Sequence, residues 1–252
     1  MPPIAVGLIV FACLFGAALL GMLLRRRVPV DHLSAESKDV VKLAMGLIAT
    51  MAALVLGLLT ASAKSSFDTW NNEIKQSAAN VIVLDRTLAH YGPETKEVRA
   101  LIRSAIALRI AQTWPEEGSR VEKFDSSRTQ AVEQIEDRIR ALAPQNDSQR
   151  TLQSKALAIM GELLGARWLL LTEAGNMTPI LFLVILVFWL AVLFASFGLL
   201  APSNTTVIVA LIFCALSVAG SIFLILEMDH SLEGMLKVSS APLRYALAQL
   251  GQ

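Results

Sequence analysis

The residues with the strongest potential for chemistry lie near the carboxyl end, in an acidic stretch that follows an apolar run. Glu227, Asp229 and Glu233 lie close together there, with His230 between them. Carboxylate oxygens are the ligands that hard cations such as Ca²⁺ prefer, and His changes its charge near neutral pH. The stretch therefore suggests a cation-binding or pH-sensing site. The simpler interpretation is that a membrane helix ends here and its polar residues meet water.

The sequence shows no pattern typical of an enzyme. His32, His90 and His230 have no metal-ligand spacing with Cys or carboxylates, and there is no phosphate loop, nucleophile elbow or dinucleotide fingerprint. Cys13 and Cys214 lie inside apolar runs, where Cys packs as a small apolar residue. We therefore predict no enzymatic activity and no cofactor, and we assign no metal site. A net charge of +1 gives no basis for nucleic-acid binding.

Long apolar runs dominate the chain and must position any functional residue. Each run has at least 21 residues without Asp, Glu, Lys or Arg. As a helix, such a run is about 31 Å long, which matches the hydrocarbon core of a bilayer. Backbone amides in lipid must form hydrogen bonds within their own segment. The runs therefore predict four transmembrane helices, at Ile4–Leu24, Leu43–Ala63, Ile180–Ala201 and Thr206–Leu226.

The runs occur in pairs around a charged insert, and they divide the chain into successive parts. We predict a first membrane helix pair with a short basic loop at 1–63, a water-exposed helical bundle at 64–177, a second membrane pair at 178–227 and a tail at 228–252. Ser240 and Pro242 indicate the start of a short amphipathic helix in the tail, because Ser suits a cap and Pro an early helical position. That helix either lies on the membrane surface or docks on the insert.

The insert shows helical periodicity throughout and no strand-like alternation. Apolar residues recur at steps of three or four in four groups, which are Phe67/Trp70/Ile74/Val81/Leu84/Leu88/Tyr91, Val98/Leu101/Ala105/Leu108, Val132/Ile135/Ile139/Leu142 and Leu152/Ile159/Leu163/Leu170. Each group predicts one buried helix face, and the first continues the second membrane helix. Asp125 or Ser126 would cap the third helix, and Asp147 or Ser148 the fourth. The predicted fold is all-α, with the insert as an antiparallel four-helix bundle. Trp70 or Trp114 would alternatively line a ligand pocket.

The second membrane run has two distinctive sides. Small residues recur at steps of four at Ala49, Ala53, Gly57 and Ala61, a spacing that lets helix backbones approach closely. Its other side carries Met51, Leu54, Val55 and Leu58. These larger residues either face lipid or a neighbouring helix, or form an apolar pore constriction that gates by dewetting. Hydroxyls in membrane helices, such as those of Thr50 and Thr60, usually bond their own backbone, so a role in permeation is the minority interpretation.

Basic residues between the first two runs bear on orientation. Arg25, Arg26 and Arg27 directly follow the first run, whereas the loop between the last two runs is uncharged. Basic residues that flank membrane helices prefer the cytoplasmic side, and those beside the first helix usually dominate. The charge pattern therefore predicts that residues 25–39 are cytoplasmic and that both termini and the insert lie outside.

Several stretches of the chain resemble a known family. The stretches are Asp31–Ser34 with Asp39–Leu43, Gly57–Lys64, Leu84–Glu94, Phe194–Leu199, Ile225–Asp229 and Ser239–Arg244. Together they resemble an uncharacterised bacterial family of membrane proteins called bestrophin-like, which carries a domain of unknown function. Where that family has a Pro-Phe pair after the acidic stretch, this chain has Ser231 and Leu232.

The resemblance implies a function as well as a fold. Bestrophins are pentameric anion channels with four membrane spans, a helical insert after the second span and an apolar neck along that span. By analogy, Met51, Leu54, Val55 and Leu58 would form the neck, the chain would form a pentamer in the bacterial inner membrane, and chloride or another anion would pass through it. The bestrophin plan places the insert in the cytoplasm, which conflicts with the charge pattern.

Two functions of different classes follow. The first is an oligomeric anion channel with the second membrane helix near the pore. The alternative is a non-conducting membrane sensor or scaffold whose helical bundle binds a ligand or partner. The loops outside the insert are too short to signal alone, which weakens the second hypothesis.

Overall fold

The computed structural model describes residues 2–25, 27, 35–114, 127–173, 180–202, 204–229 and 235–251. Within these ranges the chain forms helices and no strand. The helices are α1 (Pro3–Arg25), α2 (Ala35–Tyr91), α3 (Lys96–Thr113), α4 (Ser127–Arg140), α5 (Asp147–Glu173), α6 (Ile180–Leu200), α7 (Thr205–Asp229) and α8 (Ala241–Gln249), with a 3₁₀ turn at Pro93–Thr95. The predicted all-α class is confirmed.

Four of the helices are long and apolar enough to cross a membrane. They correspond to the four predicted runs and lie at Pro3–Arg25, Asp39–Tyr91, Leu181–Leu200 and Thr205–Asp229. The second membrane helix and the first helix of the insert form one uninterrupted 57-residue helix, α2. The predicted continuation of the second span into the insert is therefore confirmed. Helix α2 ends at Tyr91 because Gly92 adopts φ 145°, a conformation that side-chain-bearing residues rarely adopt, and Pro93 follows it.

The chain divides into two compact units. The first, here called the membrane unit, comprises Met1–Phe67 and Asn176–Leu236. The second, here called the bundle unit, comprises Asp68–Gly175 and Lys237–Gln252. Helix α2 contributes to both units, and the segment after α7 returns to the bundle unit. The C-terminal helix α8 thus docks on the insert, which is one of the two predicted alternatives.

Helices α1 and α6 make the closest backbone approach in the membrane unit. A Cβ atom added to Gly21 would lie 2.0 Å from the carbonyl oxygen of Ala195, and one added to Gly198 would lie 2.0 Å from that of Ala18. Near this crossing, the Arg25 guanidinium donates to the carbonyl oxygen of Ala201, just after α6. The two helices therefore run parallel, and small residues on both let their backbones meet.

The membrane core is completed by α2 and α7. Buried residues of α2 are Met45, Ala52, Leu59 and Ala63, and those of α7 include Leu211, Ala215, Ala219, Ile222 and Ile225. A Cβ atom added to Gly7 on α1 would lie 3.4 Å from the Cβ atom of Phe223 on α7, which is ordinary van der Waals contact. Cys13 and Cys214 are free thiols on exposed helix faces.

The buried faces of the bundle unit match the prediction for α2 and differ from it for α3. Helix α2 buries Ile74, Val81, Leu84, Leu88 and Tyr91, as the periodicity indicates, while Phe67 and Trp70 are half-buried. Helix α3, however, buries Val98, Ile102, Ile106 and Ile110. Of the predicted face, Leu101 and Ala105 are half-buried, and the predicted burial of Leu108 is wrong, since Leu108 is 46% exposed. Two apolar stripes overlap on this helix, and the branched isoleucines at steps of four fill the core.

Helices α4 and α5 bury some of the expected residues, while Val132, Leu142, Leu152 and Leu163 are half-buried, and the cap of α5 differs from the prediction. Ile135, Ile139 and Ile159 are buried. The Asn146 side chain, rather than Asp147 or Ser148, accepts a 2.8 Å hydrogen bond from the backbone N–H of Gln149. The Gln149 side chain accepts a bond from the backbone N–H of Gln145, which completes a reciprocal cap. The predicted cap of α4 at Asp125 or Ser126 and the Leu170 side chain lie outside the described residues.

Candidate functional site

Helix α2 is the least enclosed of the membrane helices. Only 11% of its most apolar segment is buried, compared with 22% for α1 and 28% for both α6 and α7. One face, along Met45, Ala52 and Leu59, packs in the core of the membrane unit. Ile48, Val55 and Leu56 beside this face are half-buried against the same core, and most other residues of this stretch are exposed.

The neck candidates lie on an exposed side of α2. Met51, Leu54 and Leu58 are 44%, 67% and 63% exposed, while Val55 is half-buried and packs against the core. At about 100° per residue, the first three share a flank about a third of a turn from the buried face. They form a continuous apolar strip that is available to lipid, to a neighbouring subunit or to a pore. Their role as a neck stays a prediction.

The small residues of α2 form a second exposed side. Ala49, Ala53, Gly57 and Ala61 are all exposed, and nothing lies within 4 Å of a Cβ atom added to Gly57. Close packing inside the protomer uses small residues of α1, α6 and α7 instead. Contact between helices along this side of α2 therefore stays a prediction, and it would have to involve another chain.

Hydroxyl groups in the membrane helices bond their own backbone, as the sequence indicates. Thr50 donates to the carbonyl oxygen of Gly46 and Thr60 to that of Leu56, both at 2.8 Å. Ser217 and Ser221 on α7 make the same bond to the residue four positions earlier. Each hydroxyl proton is thus already used within its helix. The structure gives these groups no separate role in permeation.

The arginines that suggest the orientation also have a structural role. Arg25 donates to a carbonyl oxygen at the end of α6, where the helix dipole favours a cation. The backbone N–H of Arg27 bonds the carbonyl oxygen of Leu24 at 2.8 Å, and its side chain is exposed. Arg26 lies outside the described residues. This contact places the carboxyl ends of α1 and α6 at the same end of the membrane unit.

The acidic stretch at the end of α7 does not simply meet water. Glu227 is 2% exposed, and its carboxylate accepts hydrogen bonds from the backbone N–H groups of Met235 (2.7 Å) and Leu236 (3.3 Å). The interpretation of this residue as a solvated helix end is therefore wrong: its carboxylate holds the backbone of Met235 and Leu236. Asp229 is half-buried, and Glu233, Ser231 and Leu232 lie outside the described residues. In the part of the chain that the structure places, no three His, Cys, Asp or Glu residues are grouped to hold a metal.

A buried ion pair in the bundle unit escaped the sequence analysis. Asp85 on α2 is 1% exposed and accepts two parallel 2.8 Å bonds from Nε and Nη2 of Arg99 on α3. The backbone N–H of Gly251 donates to the same carboxylate at 3.3 Å. The hydrogen bonds that Arg99 donates to Asp85 raise the pKa of Arg99, so this guanidinium stays charged. The sequence carried one sign of this ion pair. Asp85 is an acidic residue inside the apolar stripe of α2, beside Leu84 and Leu88.

The corner between α2 and α3 contains a second buried polar group. The Thr95 hydroxyl lies 2.6 Å from the carbonyl oxygen of Leu88 and 2.8 Å from that of Gly92, which fixes the turn. The buried Tyr91 hydroxyl has no hydrogen-bond partner among the residues that the structure describes. Burial, followed by the nearby Glu94 carboxylate, raises the pKa of Tyr91.

The half-buried Trp114 is used in packing. Its indole N–H donates to the carbonyl oxygen of Val238 in the C-terminal segment at 2.7 Å. This contact accounts for the partial burial of Trp114, which directly follows α3. The contact does not support the alternative interpretation that Trp114 lines a ligand pocket.

Comparisons with known proteins agree with this architecture. Two crystal structures of a bacterial bestrophin homologue from Klebsiella pneumoniae are similar to the chain. The variant with a leucine-to-threonine mutation has a TM-score of 0.66 and 15% identity, over 95% of this chain and 99% of that one. The variant with an isoleucine-to-threonine mutation has a TM-score of 0.60 and 14% identity, over 92% and 96%. A structure described as a membrane protein has a TM-score of 0.63 and 13% identity, over 95% and 99%.

Identities this low establish a shared fold alone. No curated protein matches the sequence at a significant level. The sequence model of the bestrophin-like domain, by contrast, matches residues 12–243, which is most of the chain. Four membrane helices in two pairs, an all-α insert and this match together establish that the chain belongs to the bestrophin-like family.

Proposed function

We propose that this chain forms a homo-oligomeric channel for anions, with α2 along the central pathway. The observation that carries the proposal is the low enclosure of α2, whose membrane segment is 11% buried within the protomer. Membership of the bestrophin-like family supports it. A pentamer is the expected assembly by analogy with bestrophins. In this arrangement the buried face of α2 contacts its own protomer, and its two exposed sides serve the neighbouring subunit and the pore.

The apolar side of α2 would act as the constriction. Met51, Leu54 and Leu58 carry no charge, and the run Leu43–Ala63 contains no charged residue. A narrow apolar passage gates by dewetting, and an ion that enters it must lose part of its hydration shell. Large, weakly hydrated anions pay less for that loss. We therefore expect iodide to be more permeant than chloride.

Reconstitution of the purified protein in planar bilayers tests conduction. Leu54→Thr places a hydroxyl in the proposed constriction and should increase the open-state current, because it favours wetting. Leu216→Thr is the matched control, since Leu216 is also exposed (55%) near the middle of a membrane helix, α7, but lies outside the proposed pathway. Chloride current that Leu54→Thr alone changes supports the proposal. No anion current from either protein, or equal effects of the two substitutions, contradicts it.

A second pair of variants tests whether the small-residue side of α2 contacts another subunit. Gly57 and Gly16 both have nothing within 4 Å of an added Cβ atom, so a side chain that begins at either position enters open space in the isolated protomer. We expect Gly57→Leu to weaken the oligomer and Gly16→Leu to leave it intact, as measured by native mass spectrometry. A stable monomer or dimer of the wild-type protein would instead favour the non-conducting sensor or scaffold.

The orientation is tested by thiol labelling. Ser154 is exposed on α5, so a Cys at this position, in a chain with Cys13→Ala and Cys214→Ala, reports the side of the insert. The charge pattern of Arg25–Arg27 leads us to propose that the insert lies outside. Labelling of intact spheroplasts by an impermeant maleimide agrees with this orientation. Labelling only after lysis would place the insert in the cytoplasm, as the bestrophin plan does.

A further inference from the structure

The segment 237–251, here called the tail segment, packs against α3 within the bundle unit. Val238, Leu243, Ala246 and Leu250 are each at most 1% exposed. The opposite side of α8 is open, with Tyr245 64% exposed. The segment thus has one apolar face that the bundle unit covers and one face that meets solvent.

Polar contacts hold the tail segment near both of its ends. At one end, the indole N–H of Trp114 donates to the carbonyl oxygen of Val238 at 2.7 Å. At the other end, Arg103 donates to the carbonyl oxygen of Leu250 at 2.7 Å. Because the later residue of α3 pairs with the earlier residue of the tail, α8 runs antiparallel to α3. In both contacts the acceptor is a backbone carbonyl oxygen of the tail segment. The contacts therefore depend on where the tail backbone lies and not on which side chains it carries.

The last contact connects the tail segment to the buried ion pair. The N–H of Gly251 donates to the Asp85 carboxylate, which also binds Arg99. Gly251 has φ 87°, a conformation that glycine adopts readily, and this conformation accompanies the approach of its N–H to Asp85. A buried carboxylate needs donors for its oxygens. The docked tail segment therefore helps to satisfy and cover the Asp85–Arg99 pair.

We propose that the tail segment is a strap, a separable conformational unit that covers the Asp85–Arg99 ion pair when docked and exposes it when released. The described polar anchors lie near its ends and its apolar face is short, so it opens at a lower free energy than the helices beneath it. Release uncovers a matched cation and anion together with the apolar surface of α3. The proposal does not depend on ion conduction.

Hydrogen exchange with mass spectrometry on the full chain in detergent micelles tests the strap. Arg103→Ala removes a charged donor from the tail backbone, so amides of 241–250 should exchange about ten-fold faster or more. Exchange in α4 and α5 should stay unchanged. Arg138→Ala is the control, because Arg138 forms an exposed ion pair with Glu97 at 3.1 Å, near the start of α3 and not at either anchor of the tail segment. This control should leave tail exchange unchanged.

A second variant tests the other polar contact of the tail segment, the bond from Trp114 to Val238. Trp114→Phe keeps an aromatic ring but removes the donor to Val238, and it should also accelerate exchange in the tail segment alone. Selective acceleration in both Arg103→Ala and Trp114→Phe supports the strap. Unchanged exchange in the tail segment, or equal acceleration in the tail segment, α4 and α5, overturns the proposal, because the segment would then not open separately.

Discussion

Replacement of Gly21 by Ala should separate α1 from α6 and destabilise the membrane unit. The added Cβ atom would lie 2.0 Å from the carbonyl oxygen of Ala195 and 3.0 Å from the backbone nitrogen of Leu199, whereas ordinary contact begins near 3.4 Å. The obstructing atoms belong to a helix backbone and cannot rotate away, so α6 must move by more than 1 Å. That movement also opens the reciprocal contact between Gly198 and Ala18. Overpacking of this kind costs about 3 kcal/mol.

Gly16→Ala is the matched control on the same helix. Nothing lies within 4 Å of a Cβ atom at Gly16, and Ala favours a helix by up to about 1 kcal/mol relative to Gly. For a chain of this length, 1 kcal/mol corresponds to about 2–4 °C in melting temperature, so Gly21→Ala should melt about 6–12 °C below wild type. Thermal unfolding followed by size-exclusion chromatography in detergent measures the difference. Melting of both variants within about 2 °C of each other would refute the proposed α1–α6 crossing.

Other side chains give further predictions. The pKa of Tyr91 is raised, so above pH 10 the unfolded chain releases this proton before the folded chain does, and stability falls as pH rises. Tyr91→Phe should remove this loss of stability at alkaline pH. It should also stabilise the fold by up to about 1 kcal/mol near pH 8, and denaturation at pH 8 and 10.5 measures both effects. Asn146→Ala removes the cap of α5 and should cost about 1 kcal/mol in the same assay, whereas an unchanged value would mean that the cap contributes nothing. Glu227→Ala leaves two backbone N–H groups without their acceptor and should lower the free energy of unfolding by about 2–3 kcal/mol. Glu227→Gln keeps an acceptor and should lower it less. Equal melting temperatures of the two variants would contradict this role.

The error on α3 shows where periodicity stops being decisive. Val98 belongs to two overlapping apolar stripes, one through Leu101 and Leu108 and one through Ile102 and Ile106. Both satisfy helical spacing, so the sequence alone does not choose between them. In the structure, Ile102 and Ile106 face the core and Leu108 is exposed. The choice depends on which neighbouring helices cover α3, and these include α8, which lies more than a hundred residues away in the chain.

The sequence by itself determined the membrane helices, the all-α insert and the continuity of α2. Long uncharged runs and helical periodicity are local properties, and lipid forces the backbone of each run to bond within itself. Tertiary structure alone decided the glycine crossing of α1 and α6, the burial of Glu227 and the pairing of Asp85 with Arg99 and Gly251. Each of these depends on which backbones and side chains approach through space, and Gly251 lies 166 positions from Asp85. Local patterns reveal that a residue is small or charged, but only packing decides what it touches.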